Sequence, residues 1–93
     1  MVQRKPVRIY VTVDVRFNAN GEMRPHIIFW ENGSKYEIDK ITDVCPLQSS
    51  DASRQRDRYT IWIRGKQRYL FFERYGNAAG NNLGRWFVER KAA

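Results

Sequence analysis

Three groups of side chains in this 93-residue chain could do chemistry. The first is His26 with Cys45, the only histidine and the only cysteine, nineteen positions apart. A thiol beside an imidazole becomes a nucleophile when its thiolate is stabilised, and nothing around Cys45, which precedes Pro46, supplies that stabilisation. One histidine and one cysteine also fall short of the usual metal-ligand sets, and a single cysteine closes no internal disulfide. The second group is Glu37 and Asp39, which share one face of a strand. That spacing suits two-carboxylate acid–base work, and equally a cross-strand pairing with Lys or Arg. The third group is a series of cations and rings in the second half: Arg54, Arg56, Arg58, Trp62, Arg64, Arg68, Phe72, Arg85 and Phe87. Guanidinium forks grip phosphates and aromatic rings stack on unpaired bases, the combination that single-strand binding proteins use. The glycines fall at turns, so no phosphate-cradling loop is present. The expectation is a non-enzymatic protein with no catalytic residue, no metal, no cofactor and no small-molecule substrate.

Charge points the same way. Seventeen Lys and Arg against ten Asp and Glu give +7 and a pI near 10.0, which favours a polyanion or an acidic surface as partner. The nets of residues 1–30, 31–53 and 54–93 are +3, −3 and +7, so the basic character lies in the last segment. Arginine outnumbers lysine twelve to five, a bias toward the planar, stacking cation. The same charge would also keep a small β-protein soluble.

The elements that must position these groups read as strands. From Val7 to Phe17 every odd residue is apolar, the alternation of a half-buried strand. Asn20-Gly21 and Asn32-Gly33 then mark two hairpin turns, in which both residues tolerate positive φ. They separate strands at 23–30 and 35–44, with Pro25 suited to an edge or to a break in pairing. The third segment moves from period 2 to Ile38, Ile41 and Val44 at period 3, which a bent strand explains. Residues 46–57 and 75–84 read as loops, Gly65-Lys66 as a tight turn, and 58–64, 67–73 and 85–90 as further strands. Five to six short antiparallel strands in one domain predict an all-β meander that closes into a small SH3-like or partly open barrel, which removes exposed edges. The longest apolar run, Ile27 to Trp30, is far short of the ~18 residues of a membrane span. With an N-terminus lacking a hydrophobic block, a cytoplasmic protein with no membrane partner is expected.

Alternation then assigns faces. With Tyr59, Ile61 and Ile63 inward, Arg58, Thr60, Trp62 and Arg64 point outward. Placing Tyr69, Phe71, Trp86 and Val88 inward adds Arg68, Leu70, Phe72, Arg74, Arg85 and Phe87 to that outer face. The result is a surface of arginines interleaved with Trp62, Phe72 and Phe87, with the loop Arg54-Gln55-Arg56-Asp57-Arg58 as a phosphate contact. The competing expectation is that these aromatics form a second small core beneath the loops, since large aromatics are mostly buried.

The elements Phe29-Trp30-Glu31-Asn32-Gly33 and Tyr36-Glu37-Ile38-Asp39-Lys40-Ile41-Thr42-Asp43-Val44, then Arg58-Tyr59-Thr60, Ile63-Arg64-Gly65, Tyr69-Leu70-Phe71-Phe72 and Gly84-Arg85-Trp86-Phe87-Val88-Glu89-Arg90, resemble a family of small uncharacterised proteins of Gram-positive bacteria. They are more loosely similar to a domain of unknown function encoded beside or fused to Y-family translesion polymerases. The likeness spans most of residues 7–90 and lies in turn and core positions, so it implies a shared fold and carries over no site residue. The leading expectation is weak, sequence-independent nucleic-acid binding, single strands favoured, through the Arg-aromatic face. The alternative is a protein partner or homodimer docked on the same aromatics.

Overall fold

A computed structural model describes residues 6–47, 54–75 and 83–90, with the side chains of Arg54 and Tyr75 outside the description. Seven strands form: β1 (Val7–Phe17), β2 (Met23–Phe29), β3 (Lys35–Glu37), β4 (Lys40–Leu47), β5 (Arg54–Ile63), β6 (Lys66–Tyr75) and β7 (Gly84–Arg90). All pair antiparallel in one sheet of order β3-β2-β1-β7-β6-β5-β4. Two meanders, β1 to β3 and β4 to β7, are thus joined where β1 pairs with β7.

The strands at the two ends of that order, β3 and β4, are consecutive in the chain and separated only by Ile38 and Asp39. The Ile38 N–H donates to the His26 carbonyl at 2.9 Å, while the next N–H, Asp39, donates to the Trp62 carbonyl at 2.7 Å. Neighbouring amides therefore bond to opposite ends of the sheet, and the sheet must curl into a half-barrel to allow it. This bend divides the expected third strand in two, which is why there are seven strands rather than five to six. A bulge at Thr42 follows, where Ile41 opposes Ile61 and Asp43 opposes Thr60. Bend and bulge together let residues spaced by three, Ile38 and Ile41, pack on the same core.

Strand pairing reaches further than the sequence suggested. Pro46 and Leu47 pair with Asp57 and Arg56, so both ends of the expected 46–57 loop belong to a hairpin. The rest of that loop, and most of the 75–84 loop, lie outside the described residues. Gly84, placed in the second loop, begins β7; a Cβ there would clash with the Glu73 carbonyl oxygen and the Phe72 ring, so only glycine fits. In both Asn-Gly turns glycine alone has positive φ, 88° at Gly21 and at Gly33. Bonds from Gly21 to the Asn18 carbonyl and from Gly33 to the Trp30 carbonyl make each a three-residue loop ending in a left-handed glycine.

The core lies on the concave side. Ile28, Tyr59, Ile61, Leu70, Phe72 and Trp86 are buried there, with Val11, Val13, Met23, Tyr36 and Val88 packed against them. Phe72 and Leu70 belong inside and Tyr69 and Phe71 outside, the reverse of the expected assignment for β6. Pairing fixes this: the β5–β6 turn sets Ile63 opposite Lys66, hence Tyr59 opposite Leu70 and Asp57 opposite Phe72. Directly opposed residues share a face, and β6 is apolar on both faces, so hydrophobicity alone could not choose between them.

Candidate nucleic-acid interface

The structure divides the arginines and aromatics expected on one surface between two faces and a turn. On the convex side, Arg58 stands opposite Phe71, Arg56 and Arg85 each stand opposite Glu73, and Phe87 stands opposite Phe71. These residues make a second packed layer. Phe87 stacks on Phe71 at 5.0 Å with planes 9° apart and meets Tyr10 at 5.6 Å with planes tilted by 60°. The Arg8 guanidinium lies 4.8 Å above the Phe87 ring and Arg85 lies 3.8 Å above Tyr10.

Glu73, with its side chain only 3% exposed, anchors this layer by ion pairs to Arg8 at 3.3 Å and Arg85 at 3.0 Å. The Tyr10 hydroxyl accepts a further bond from Arg85 at 3.1 Å. Arg58 covers Tyr69 at 4.8 Å, and its buried Nε finds no acceptor among the described residues. Trp62 is half-buried, donates to the Thr42 hydroxyl at 3.3 Å and lies under Lys40 at 4.9 Å. Convex arginines are thus largely committed to rings and to one buried carboxylate. Of Trp62, Phe72 and Phe87, the three rings expected either to be exposed or to form a second core beneath the loops, only Phe87 belongs to this layer, and the guanidinium groups of Arg8 and Arg85 lie over its rings.

The concave mouth differs. A cleft of about 970 Å³, within the ~300–1,000 Å³ of ligand sites, is lined by Ile28, Ile61, Ile63 and Val88 of the concave face and also by Gln67, Tyr69 and Phe71 of the convex face. Trp30 and Tyr36 stand beside it, and Arg64, Lys66, Arg68 and Arg90 surround it with one carboxylate, Glu89. Arg68 is held here because it opposes Ile61 across the β5–β6 hairpin, and Arg90 because it opposes Val7. Arg64 reaches back over the Tyr36 ring at 5.7 Å. Among the described residues none of these four cations forms an ion pair.

Arg64 and Gly65, not Gly65 and Lys66, are the central pair of the turn. Arg64 holds φ of 52° and Gly65 holds 75°, the left-handed pair of a two-residue hairpin that usually takes Asn-Gly. Arginine there is strained, and strain of this kind is retained where a side chain is needed for another purpose. Arg64→Asn is therefore expected to raise the unfolding free energy by about 0.5–1 kcal/mol. Urea denaturation checks it, and a loss of stability would mean that the contact of Arg64 with Tyr36 outweighs the strain.

Of the expected site residues, Arg64 and Arg68 meet at this mouth, while Phe72 is in the core and Trp62, Arg56, Arg58, Arg85 and Phe87 lie on the convex face. The side chain of Arg54 is outside the description. Lys66, Arg90, Trp30 and Tyr36 were missed. Hairpin parity could have found the first, since it sets Lys66 opposite Ile63; Trp30 and Tyr36 arrive only through the curl of the sheet. The acid–base candidates are apart in role: Glu37 pairs with Ile27, and the Asp39 carboxylate accepts from the Gly65 N–H at 3.4 Å. Cys45 is half-buried opposite Arg58, with its thiol 3.6 Å from the Pro46 carbonyl. Among the described residues there is no cluster of three metal-ligating side chains and no helix long and apolar enough to cross a membrane.

At the other mouth, Asp57 pairs with Arg74 at 2.7 Å beside Tyr59. Burial, and then the Asp57 carboxylate, hold the Tyr59 phenol above its usual pKa, with Arg74 pulling the other way. Compared with known proteins, the chain matches no family model, no curated protein and no solved structure, so its functional reading rests on this geometry.

Proposed function

We propose that this protein is a non-enzymatic small-barrel module that binds single-stranded nucleic acid, weakly and without strong sequence preference. The binding surface is the concave mouth rather than the convex Arg-aromatic face. One observation carries the reading: Arg64, Lys66, Arg68 and Arg90 surround a cleft edged by Trp30 and Tyr36 with no ion pair among the described residues. Four cations clustered around a single carboxylate, Glu89, with which none of them forms an ion pair, repel one another, and a phosphate backbone relieves that repulsion while releasing its own counterions. An unpaired base can enter the cleft and stack on Trp30 or Tyr36, whereas a duplex keeps its bases stacked inside.

The test is fluorescence-anisotropy titration with labelled single-stranded DNA, duplex DNA and RNA over a salt series, beside Arg64→Glu/Arg68→Glu. Single strands are expected to bind best. The variant should lose affinity on the order of 100-fold at low salt, and its salt slope should fall by about 1.4, at ~0.7 per lost phosphate contact. No binding by the wild type at low salt would end this reading. A protein-docking role is the second reading, favoured at the other mouth, where exposed Phe17, Val44 and Leu83 border one cleft. Light scattering after size exclusion tests its homodimer form.

A further inference from the structure

The register of β1 on β2 sets Arg16 directly opposite Arg24, both exposed. Opposed side chains on an antiparallel pair have Cβ atoms about 4.5–5.5 Å apart, and like charges there are destabilising. Little nearby offsets that cost. The one ion pair of Arg24 among the described residues is a solvent-exposed 3.8 Å contact to Glu22, and Arg16 has none. Asp14, the preceding residue on the same face of β1, stands across from Ile27 and pairs with neither arginine.

Both arginines border a polar cleft of about 320 Å³ with His26, Lys40, Asn18 and Asp39. His26 is the extra residue of a bulge, since pairing passes from Asp14 with Ile27 to Val15 with Pro25, and bulges turn a side chain out of register. Asp39 is turned toward the amide of Gly65.

We propose that Arg16 and Arg24 form a phosphate-binding subsite, with His26 and Lys40 supplying further donors at its rim. Two adjacent forks present the paired N–H groups that bind phosphate oxygens in a bidentate manner, and the bound dianion or diester removes their mutual repulsion. This subsite uses none of the residues of the concave mouth and does not depend on that reading. It is also close to it: Tyr36 of the mouth and Ile38 of this cleft are two residues apart, at most about 7 Å along the chain. Its phosphate could thus belong to free oxyanions or to the backbone of a nucleic acid crossing the bend.

The arginine Nε–Hε resonances of the folded protein, titrated with inorganic phosphate, pyrophosphate and a thymidine 12-mer at constant ionic strength, decide among these. Selective, saturable shifts of Arg16 and Arg24 are expected, lost in Arg16→Ala/Arg24→Ala and retained with pyrophosphate in Arg64→Glu/Arg68→Glu. Saturation by pyrophosphate alone assigns the subsite to free oxyanions, and by the 12-mer alone to phosphodiesters. In the latter case the alanine variant lowers the salt slope for the 12-mer by about 1.4. No saturable shift with any of the three probes overturns the subsite. A mouth that fails to bind DNA while pyrophosphate still moves Arg16 and Arg24 overturns only the nucleic-acid reading.

Discussion

Phe87→Ala is expected to remove about 3–5 kcal/mol of stability, the usual cost of deleting a fully buried aromatic ring. Phe87 is 1% exposed although it lies on the outside of the sheet, because Phe71, Tyr10 and the guanidinium of Arg8 enclose it. A domain of this size has a total stability of roughly 5–15 kcal/mol, so the variant should sit near its unfolding transition at physiological temperature. Urea denaturation at constant slope measures the loss directly. Tyr69→Ala, at a ring that is 46% exposed on the same face, serves as the control and should cost much less. A loss below ~1 kcal/mol at Phe87 would mean that the convex layer is a soft surface rather than a core, and would return Phe87 to the pool of rings able to stack on a ligand.

The second large effect is expected at Glu73. Glu73→Ala removes a buried acid that pairs with both Arg8 and Arg85, and should cost about 3 kcal/mol. The two arginines are 38% and 48% exposed, so each rehydrates in part when the carboxylate is gone, which keeps the loss below that of a fully buried ion pair. Glu73→Gln keeps the shape and an acceptor and should recover part of the loss. Because the carboxylate is buried, the difference between wild type and variant should change little between low and high salt, unlike that of an exposed pair. A salt-sensitive difference would show that the pairs are solvent-screened and that Glu73 is held by packing alone. Together the two variants test the convex layer, since Phe87 and Glu73 substitutions act on stability, whereas the proposed binding at the mouth is tested by Arg64→Glu/Arg68→Glu.

Much of the fold was legible in the residue order. Alternation from Val7 to Phe17 announced β1, the Asn-Gly pairs announced the first two hairpins, and the period-3 step at Ile38, Ile41 and Val44 announced a bend. The site was less legible. Trp62 and Phe72 looked equivalent in sequence, each large and flanked by polar or apolar neighbours that fit either face. In the structure Trp62 lies half-buried on the convex side under Lys40, and Phe72 is in the core against Trp86. Arg64 looked like a strand residue and is the left-handed position of the turn.

The sequence by itself determined the all-β class, the two Asn-Gly turns and the basic character of its second half. Each is a local property: side-chain alternation, a glycine free of the Cβ penalty, or a sum of charges. The tertiary structure alone decided which arginines have an ionic partner among the described residues. That depends on distant segments brought together by the curl of the sheet, as Arg8 meets Glu73 across 65 residues and Arg85 meets Tyr10 across 75. Sequence spacing carries no record of such contacts. A guanidinium beside a buried carboxylate is a structural strut, and the same group at the open mouth has no ionic partner among the described residues.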